Sequence, residues 1–375
     1  MKILLAPDKF RGSLTAPEVC QAMTDGIRMV SADIEVVSLP MADGGEGTLD
    51  LLLWYSAGKK ITTQVHDPLG RIIEAEYGIS ADGKTAFIEM ATASGLRLLK
   101  NDERNPLKTS TFGTGELIKS AIENGVENLI LGIGGSATND AGIGMAAALG
   151  WRFLDENGDA IDPIGENLIK IKSIKAPQTP NHKLKTINIA CDVTNPLYGI
   201  NGAAYVYAPQ KGADAAAVEL LDEGLRNIYN IAVRDLQSEQ KGWGAAGGLG
   251  FGSVMFLGGK LKEGVKLLMD FCDFDKHLEN VDLVITGEGK IDNQTLQGKL
   301  IGGITQKTSE KNIPIAAICG TLAVEPVELE KIGITYAASI LNRPMDLEEA
   351  LKMGYAGVRD TTYYLVNLLT HGRAR

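Results

Sequence analysis

The sequence is poor in the residues that several common chemistries require. It has four cysteines, Cys20, Cys191, Cys272 and Cys319, none at metal-ligand spacing and none in a C-x-x-C pair. This argues against a zinc ribbon and a dithiol redox centre. Three of them lie in apolar runs and read as buried free thiols in a reducing compartment, the cytoplasm. The four histidines, His66, His182, His277 and His371, are scattered, so a histidine-based triad is not expected and all four read as surface or structural. H-E-x-x-H, H-R-D, D-F-G and G-x-S-x-G are all missing, and the turn "GIGGSATND" lacks G-K-[ST], which argues against zincin, protein-kinase and α/β-hydrolase readings and against a Walker lysine at that turn. No apolar run reaches the length of a membrane span, and the one in "MKILLAPDKF" is too short for a signal peptide. Basic residues are outnumbered, 37 against 47, giving a net charge of -10 without a basic patch. Nucleic acid is therefore not an expected partner. An anionic substrate would need local compensation from a few cations, backbone N–H groups or a metal ion.

What is present is glycine, 44 residues of it, in short clusters. The clusters imply tight loops in a globular chain, and 375 residues suggest about two domains. "KILLA" reads as a buried parallel strand, "LTAPEVCQAMTDGIRMV" as a helix, and "IEVVSLP" as the next strand. Val19, Met23, Ile27 and Val30 share one helical face, and Thr15 with Glu18 forms a capping box. The strand–helix alternation returns near the C-terminus with "VDLVITGEG", "IPIAAICGT" and "GITYAASI". Two strands at the start and three at the end make one parallel sheet. The expected fold is α/β with two α/β domains. One is a discontinuous Rossmann-like parallel-sheet domain, residues 1–66 plus 280–375, and the other a mixed α/β domain, 67–279, inserted into it.

Most of the glycine loops follow predicted strands, where α/β proteins bind ligands. "APDKFRGS" offers Asp8, Lys9, Arg11 and Ser13. "MADGGEGTLD" places Asp43 and Glu46 at a helix start, where they would cap the helix, while Gly44, Gly45 and Gly47 suggest close backbone approach to a ligand. "LILGIGGSATNDAGIGMAAALG" matches G-x-G-x-x-A at Gly132, Gly134 and Ala137, with Asp155 about twenty residues on, as a dinucleotide site requires. A phosphate cradle built from turn N–H groups and the helix dipole is the rival reading, aided by Ser136, Thr138 and Asn139. Tight helix–strand packing would need the same glycines. Asp192, after a strong apolar strand, is placed to act as a general base, or to close an Asx-turn. Lys211 is a candidate phosphate counter-ion, Gly244 to Gly250 a second cradle or a hinge, and Glu288 with Asp292 a metal-binding pair.

Taken in order, "APDKFRGSLTAPEV", "PMADGGEGT", "DPLGR", "FIEMATASGL", "FGTGELI", "GIGGSATNDAGIGMAAALG", "ACDVTNPLYG", "PQKGA", "GAAGGLG" and "DLVITGEGKIDNQTLQGK" span nearly the whole chain. Together they resemble the two-domain bacterial glycerate kinase family. The resemblance implies ATP- and Mg²⁺-dependent phosphorylation of D-glycerate, with 2-phosphoglycerate as product and 3-phosphoglycerate as the alternative. The nicotinamide-dependent hydroxy-acid dehydrogenase suggested by the glycine motif is the more distant alternative. On this resemblance, Gly132, Gly134, Gly135, Ser136, Thr138, Asn139 and Lys211 are expected to bind the nucleotide, and Asp192, Asp43 and Glu46 to act in catalysis. Asp8, Arg11, Ser13, Arg71 and Glu288 are expected at glycerate, and Asp43, Glu288 and Asp292 at the metal. Lys9, Arg11 and Ala141 depart from the family's usual residues; Arg11 keeps the charge, and Ala141 is expected to cost nothing at a helix start.

Overall fold

The computed structural model describes residues 1–42, 47–178, 184–233, 241–293, 295 and 300–372. Its strands are β1 (Lys2–Leu5), β2 (Glu35–Ser38), β3 (Lys59–His66), β4 (Ile72–Ile79), β5 (Thr85–Glu89), β6 (Asn128–Gly132) and β7 (Arg152–Leu154). They continue with β8 (Ser173–Lys175), β9 (Thr186–Ala190), β10 (Lys260–Lys262), β11 (Leu283–Ile291), β12 (Ile315–Leu322) and β13 (Tyr336–Ser339). The chain divides into two compact units, Met1–Asp43 with Val265–Arg375, and Gly44–Gly264.

The discontinuous unit holds a five-stranded sheet of order β13-β12-β11-β1-β2, parallel throughout. Ile3, Leu4 and Leu5 are fully buried, as a central strand covered on both faces must be. Helix Ala16–Val30 starts on the capping box, with Thr15 Oγ1 accepting from Glu18 N–H and Glu18 accepting from Thr15 N–H. Its apolar face, Val19, Met23 and Ile27, is buried with Ile285, Ile318 and Val358. Gly26 is where this helix meets the helix Gly354–Gly372, because a Cβ there would overlap the carbonyl of Arg359.

The inserted unit holds a six-stranded sheet of order β10-β9-β6-β5-β4-β3. Its first four strands pair in parallel, and β3, β4 and β5 are antiparallel. Strands β7 and β8 form a separate antiparallel pair. Helices of this unit lie at Phe112–Glu123 and Ala215–Ala232, the second capped by Asp214 accepting from Ala217 N–H at 2.8 Å.

The crossings between units differ from the expected positions after residue 66 and before residue 280. β3 zips along all of β4, so "HDPLGR" is a hairpin turn inside the inserted unit and not a linker. Asp67, 3% exposed, ties that turn by accepting from the backbone N–H groups of Leu69 and Arg71. At the second crossing, Val265 packs against Gly303, which places the helix Gly264–Phe271 largely in the discontinuous unit.

Candidate active site

In the inserted unit, β5, β6 and β9 run side by side in parallel and end level with one another: Glu89 pairs in register with Gly132, and Gly132 with Ala190. The sheet therefore brings the glycine turn after β6 next to the Cys191–Asp192 segment after β9, on the edge where α/β sheets bind ligands. Glu89 is a carboxylate on this edge that sequence reasoning missed. Its Oε1 accepts from Leu49 N–H at 3.3 Å, in the first turn of the helix Thr48–Tyr55. The chain enters that helix through Gly47, whose φ of 92° is left-handed. Asp43 and Glu46 lie outside the described residues. Among the described residues, Glu89 from the neighbouring strand and Asp50 from the helix's own first turn are carboxylates at this helix start.

The glycine turn is braced from behind and bare in front. Gly132 O accepts from Met90 N–H, Gly135 O from Leu96 N–H, and Ala137 N–H donates to Ser94 O, each at 2.9 Å. Gly134 and Gly135 are exposed, and among the described residues nothing lies within 4 Å of a Cβ placed on Gly134. Packing does not demand glycine at position 134, so the space in front of its backbone is available to a ligand.

The dinucleotide reading is not supported by this geometry. No helix begins at the turn; the six-residue helix Ile143–Ala148 starts well beyond it. Asp155 closes a tight turn after β7, accepting from Asn157 and Asp159 N–H, in the small antiparallel pair and not at the end of a parallel strand. The helix-dipole part of the phosphate reading falls for the same reason, which leaves the turn's own N–H groups. The intervening residues are buried: Thr138, Asn139 and Asp140 are each 0% exposed. Asp140 accepts from Thr111 N–H (2.7 Å), Thr111 Oγ1–H (2.8 Å), Gly142 N–H and Gly144 N–H. Burial outweighs these donors and pushes its carboxyl above the ordinary aspartate value.

Lys211 also lies inside. Its Nζ donates to Ser136 Oγ and to Thr138 O, both at 2.7 Å, and the side chain is 2% exposed. Burial pushes its pKa down to about 7, partly offset by Asp140. Lys211, the candidate phosphate counter-ion, therefore reaches the glycine turn from the protein side.

"GAAGGLG" resolves differently from either a cradle or a hinge. Ala246, Gly247 and Gly248 take left-handed φ values of 54°, 70° and 90°. A Cβ on Gly247 would overlap the carbonyl of Thr138, and one on Gly252 that of Ala141. These glycines let two backbones touch, and Ala141 N–H donates to Gly247 O at 3.0 Å across the contact. Ala141 itself sits at φ 54°, fully buried. It is not at a relaxed helix start, and a left-handed alanine costs about 1–2 kcal/mol against an ordinary conformation.

Asp192 Oδ1 accepts from Gly264 N–H at 2.7 Å. Arg71 is committed elsewhere: Nε pairs with Asp67 at 2.6 Å and NH1 with Glu103 at 2.7 Å, so its guanidinium already serves two carboxylates.

In the discontinuous unit, the segment after β1 and the end of β11 lie together. Asp8 N–H donates to Gly287 O at 2.8 Å, and a Cβ on Gly289 would lie 3.2 Å from Arg11 N. Asp8, Arg11 and Glu288 therefore gather at the carboxyl end of the central strands. Glu288 Oε1 accepts from Thr295 Oγ1–H at 2.8 Å, and Asp292 pairs with Lys290 at 3.0 Å. Ser13 turns away from this edge, donating to Leu351 O at 2.7 Å. Among the described residues no group of three or more His, Cys, Asp or Glu could hold a metal ion, and no helix is long and apolar enough to cross a membrane.

Bare backbone at Gly134 and Gly135, with carboxylates at the flanking strand ends, suits phosphoryl transfer, where positioning and charge stabilisation do most of the work. The class that fold and site define is an α/β phosphotransferase acting on a small molecule. The chain belongs to the glycerate kinase family, whose sequence profile matches residues 3–370. It is 44% identical over 366 residues to a glycerate kinase of Bacillus cereus, covering 96% of each chain. It is 42% identical over 362 residues to the glycerate 2-kinase of Escherichia coli, covering 96% of this chain and 95% of the relative. A crystal structure of a glycerate kinase 2 candidate from Salmonella typhimurium LT2 superposes with a TM-score of 0.90 at 40% identity, covering 100% of both chains. Kinase membership implies ATP as the phosphoryl donor.

Proposed function

We propose that the protein transfers the γ-phosphoryl group of ATP to the 2-hydroxyl of D-glycerate, giving 2-phosphoglycerate. The observation that carries the site assignment is the level ending of β5, β6 and β9, which sets Glu89, the bare Gly134–Gly135 backbone and Asp192 along one edge. The 42% identity to a glycerate 2-kinase over nearly the full chain supports the choice of hydroxyl.

In this reading the N–H groups of the turn Gly132 to Ser136 receive the phosphates. Asp192 accepts the proton of the attacking hydroxyl, while its bond to Gly264 N–H fixes the carboxylate's orientation. Arg11, exposed after β1, is the cation for the glycerate carboxylate, with Asp8 and Glu288 as hydroxyl acceptors. Magnesium is held in such enzymes mainly by phosphate oxygens and one or two carboxylates. Glu288 and Asp292, at the end of β11, fit that modest demand, and Asp43 is a third candidate from sequence. When bound, the ion neutralises charge on the phosphates. A cytoplasmic setting, where ATP is available and thiols stay reduced, fits four cysteines that form no disulfide.

The test is one incubation with ATP, Mg²⁺ and D-glycerate, followed by phosphorus NMR. ADP with 2-phosphoglycerate is expected. 3-Phosphoglycerate would overturn the regiochemistry, and no glycerate-dependent ADP the activity.

A further inference from the structure

Lys211 is 75 positions from Ser136 in sequence, yet its Nζ is bonded to Ser136 Oγ and to Thr138 O, each at 2.7 Å. The two acceptors differ in kind. A carbonyl oxygen only accepts, so Nζ must donate to Thr138 in either protonation state. A hydroxyl both donates and accepts. When Nζ is an ammonium it also donates to Ser136 Oγ, and the serine hydrogen must point elsewhere. When Nζ is a neutral amine it carries a buried lone pair, which is satisfied by taking the serine hydrogen, and in that arrangement the turn loses the donor.

We propose that Lys211 is a positioning residue for phosphate binding: its ammonium form frees the Ser136 hydroxyl to donate to a bound phosphate, so anion binding at the turn draws a proton from solvent onto Nζ. The inference rests on the reading of the Gly132–Ser136 turn as the phosphate site. The lysine side chain is 2% exposed, so the ammonium lacks solvent stabilisation and lies near balance with the amine, at a pKa of about 7. The titratable group acting on it is Asp140, on the same buried loop as Thr138; the carbonyl and Cβ of Arg104 lie against Gly212, next to Lys211 in the chain. An anion in front of the turn adds negative charge and an acceptor for the freed hydroxyl. Both favour the ammonium. The bond changes balance: one N–H forms on Nζ with a solvent proton, and the serine hydrogen passes from a lone-pair acceptor on nitrogen to a phosphate oxygen.

The test is titration calorimetry of a non-hydrolysable ATP analogue with Mg²⁺, in buffers of different ionisation enthalpy. At about pH 7.5 the wild-type protein should take up roughly 0.7 proton per site more than Lys211→Met, after correction for the analogue's own protonation. Wild type alone gives a second measurement that needs no variant: the uptake should shrink toward zero near about pH 5.5, where Nζ is already charged. Equal uptake in both proteins, or pH-independent uptake, overturns the proton coupling. In that case a weaker analogue affinity in Ser136→Ala would leave the phosphate assignment standing. Unchanged affinity in both Ser136→Ala and Gly134→Val would overturn the phosphate assignment and the inference with it.

Discussion

The side chain of Asp192 accepts a hydrogen bond from the backbone N–H of Gly264 at 2.7 Å, just before the chain passes into its discontinuous unit. The residue proposed as general base thus also holds the start of the helix Gly264–Phe271. The two roles separate by substitution. Asp192→Asn keeps an oxygen acceptor and should fold normally, while turnover falls by about 10²–10⁴. Asp192→Ala should lose the same activity and roughly 1 kcal/mol of stability besides. Coupled ADP assays and thermal melts report both; near-normal turnover in Asp192→Asn would rule out the base.

Gly134 gives a cleaner separation of ligand from packing. A methyl group there meets none of the described residues, so Gly134→Ala should leave the stability within about 0.5 kcal/mol of wild type in denaturant titrations. Backbone approach by a phosphate would be blocked, and KM for ATP should rise about tenfold or more. An unchanged KM would remove the turn from the nucleotide site.

Gly247 should behave in the opposite way. Its left-handed φ and the carbonyl of Thr138 in its Cβ direction leave a side chain nowhere to go. Gly247→Ala should cost about 3 kcal/mol or more, seen as a shifted denaturation midpoint. A mild effect would mean that the two backbones are not held together as tightly as their contact implies.

Lys211 sets a pH dependence whose sign can be worked out. Its pKa is about 7 in the folded protein and near 10.5 when free. Between those values the unfolded chain binds a proton that the folded chain does not. The group's penalty on stability is therefore full below about pH 7 and is relieved as pH rises toward 10.5, at up to about 1.4 kcal/mol per pH unit. Denaturant titrations should show Lys211→Met without this slope and more stable than wild type at about pH 6. A parallel pH profile for the two proteins would contradict the buried, neutral-leaning lysine.

Arg71 should be dispensable for substrate. With Nε on Asp67 and NH1 on Glu103, its guanidinium already has two carboxylate partners. Arg71→Ala is expected to leave KM for glycerate within about twofold and to lower the melting temperature slightly. A large rise in KM would return it to the substrate site.

These residues also mark what the sequence could reveal. The capping box of Thr15 and Glu18 was legible because it is local: three positions apart, each partner supplies what the other lacks. The burial of Ile3, Leu4 and Leu5 was legible from an unbroken apolar run. The burial of Lys211 could not be read from "PQKGA", because its partners Ser136 and Thr138 are more than seventy positions away. The first unit crossing was misplaced because Asp-Pro-Leu-Gly is equally good as a linker and as a hairpin turn, and the register of β3 with β4 decides between them. "GAAGGLG" was recognised as unusual, but a glycine that admits a ligand and one that admits another backbone are identical in sequence. Glu89 was hidden in "FIEMA" because a carboxylate at a strand end gains meaning only beside its neighbours.

β1 pairs on one side with β2, made moments later, and on the other with β11; Lys2 and Asp282, bonded at the start of that second pairing, are 280 positions apart. At ribosomal rates of about 5–20 residues per second, β1 waits roughly 15 to 55 seconds for that neighbour to be synthesised. The inserted unit, being one continuous stretch, has all its strands available before then. Nascent chains should therefore acquire the six-stranded sheet first, with the apolar β1 segment left without its β11 neighbour until the C-terminal third emerges.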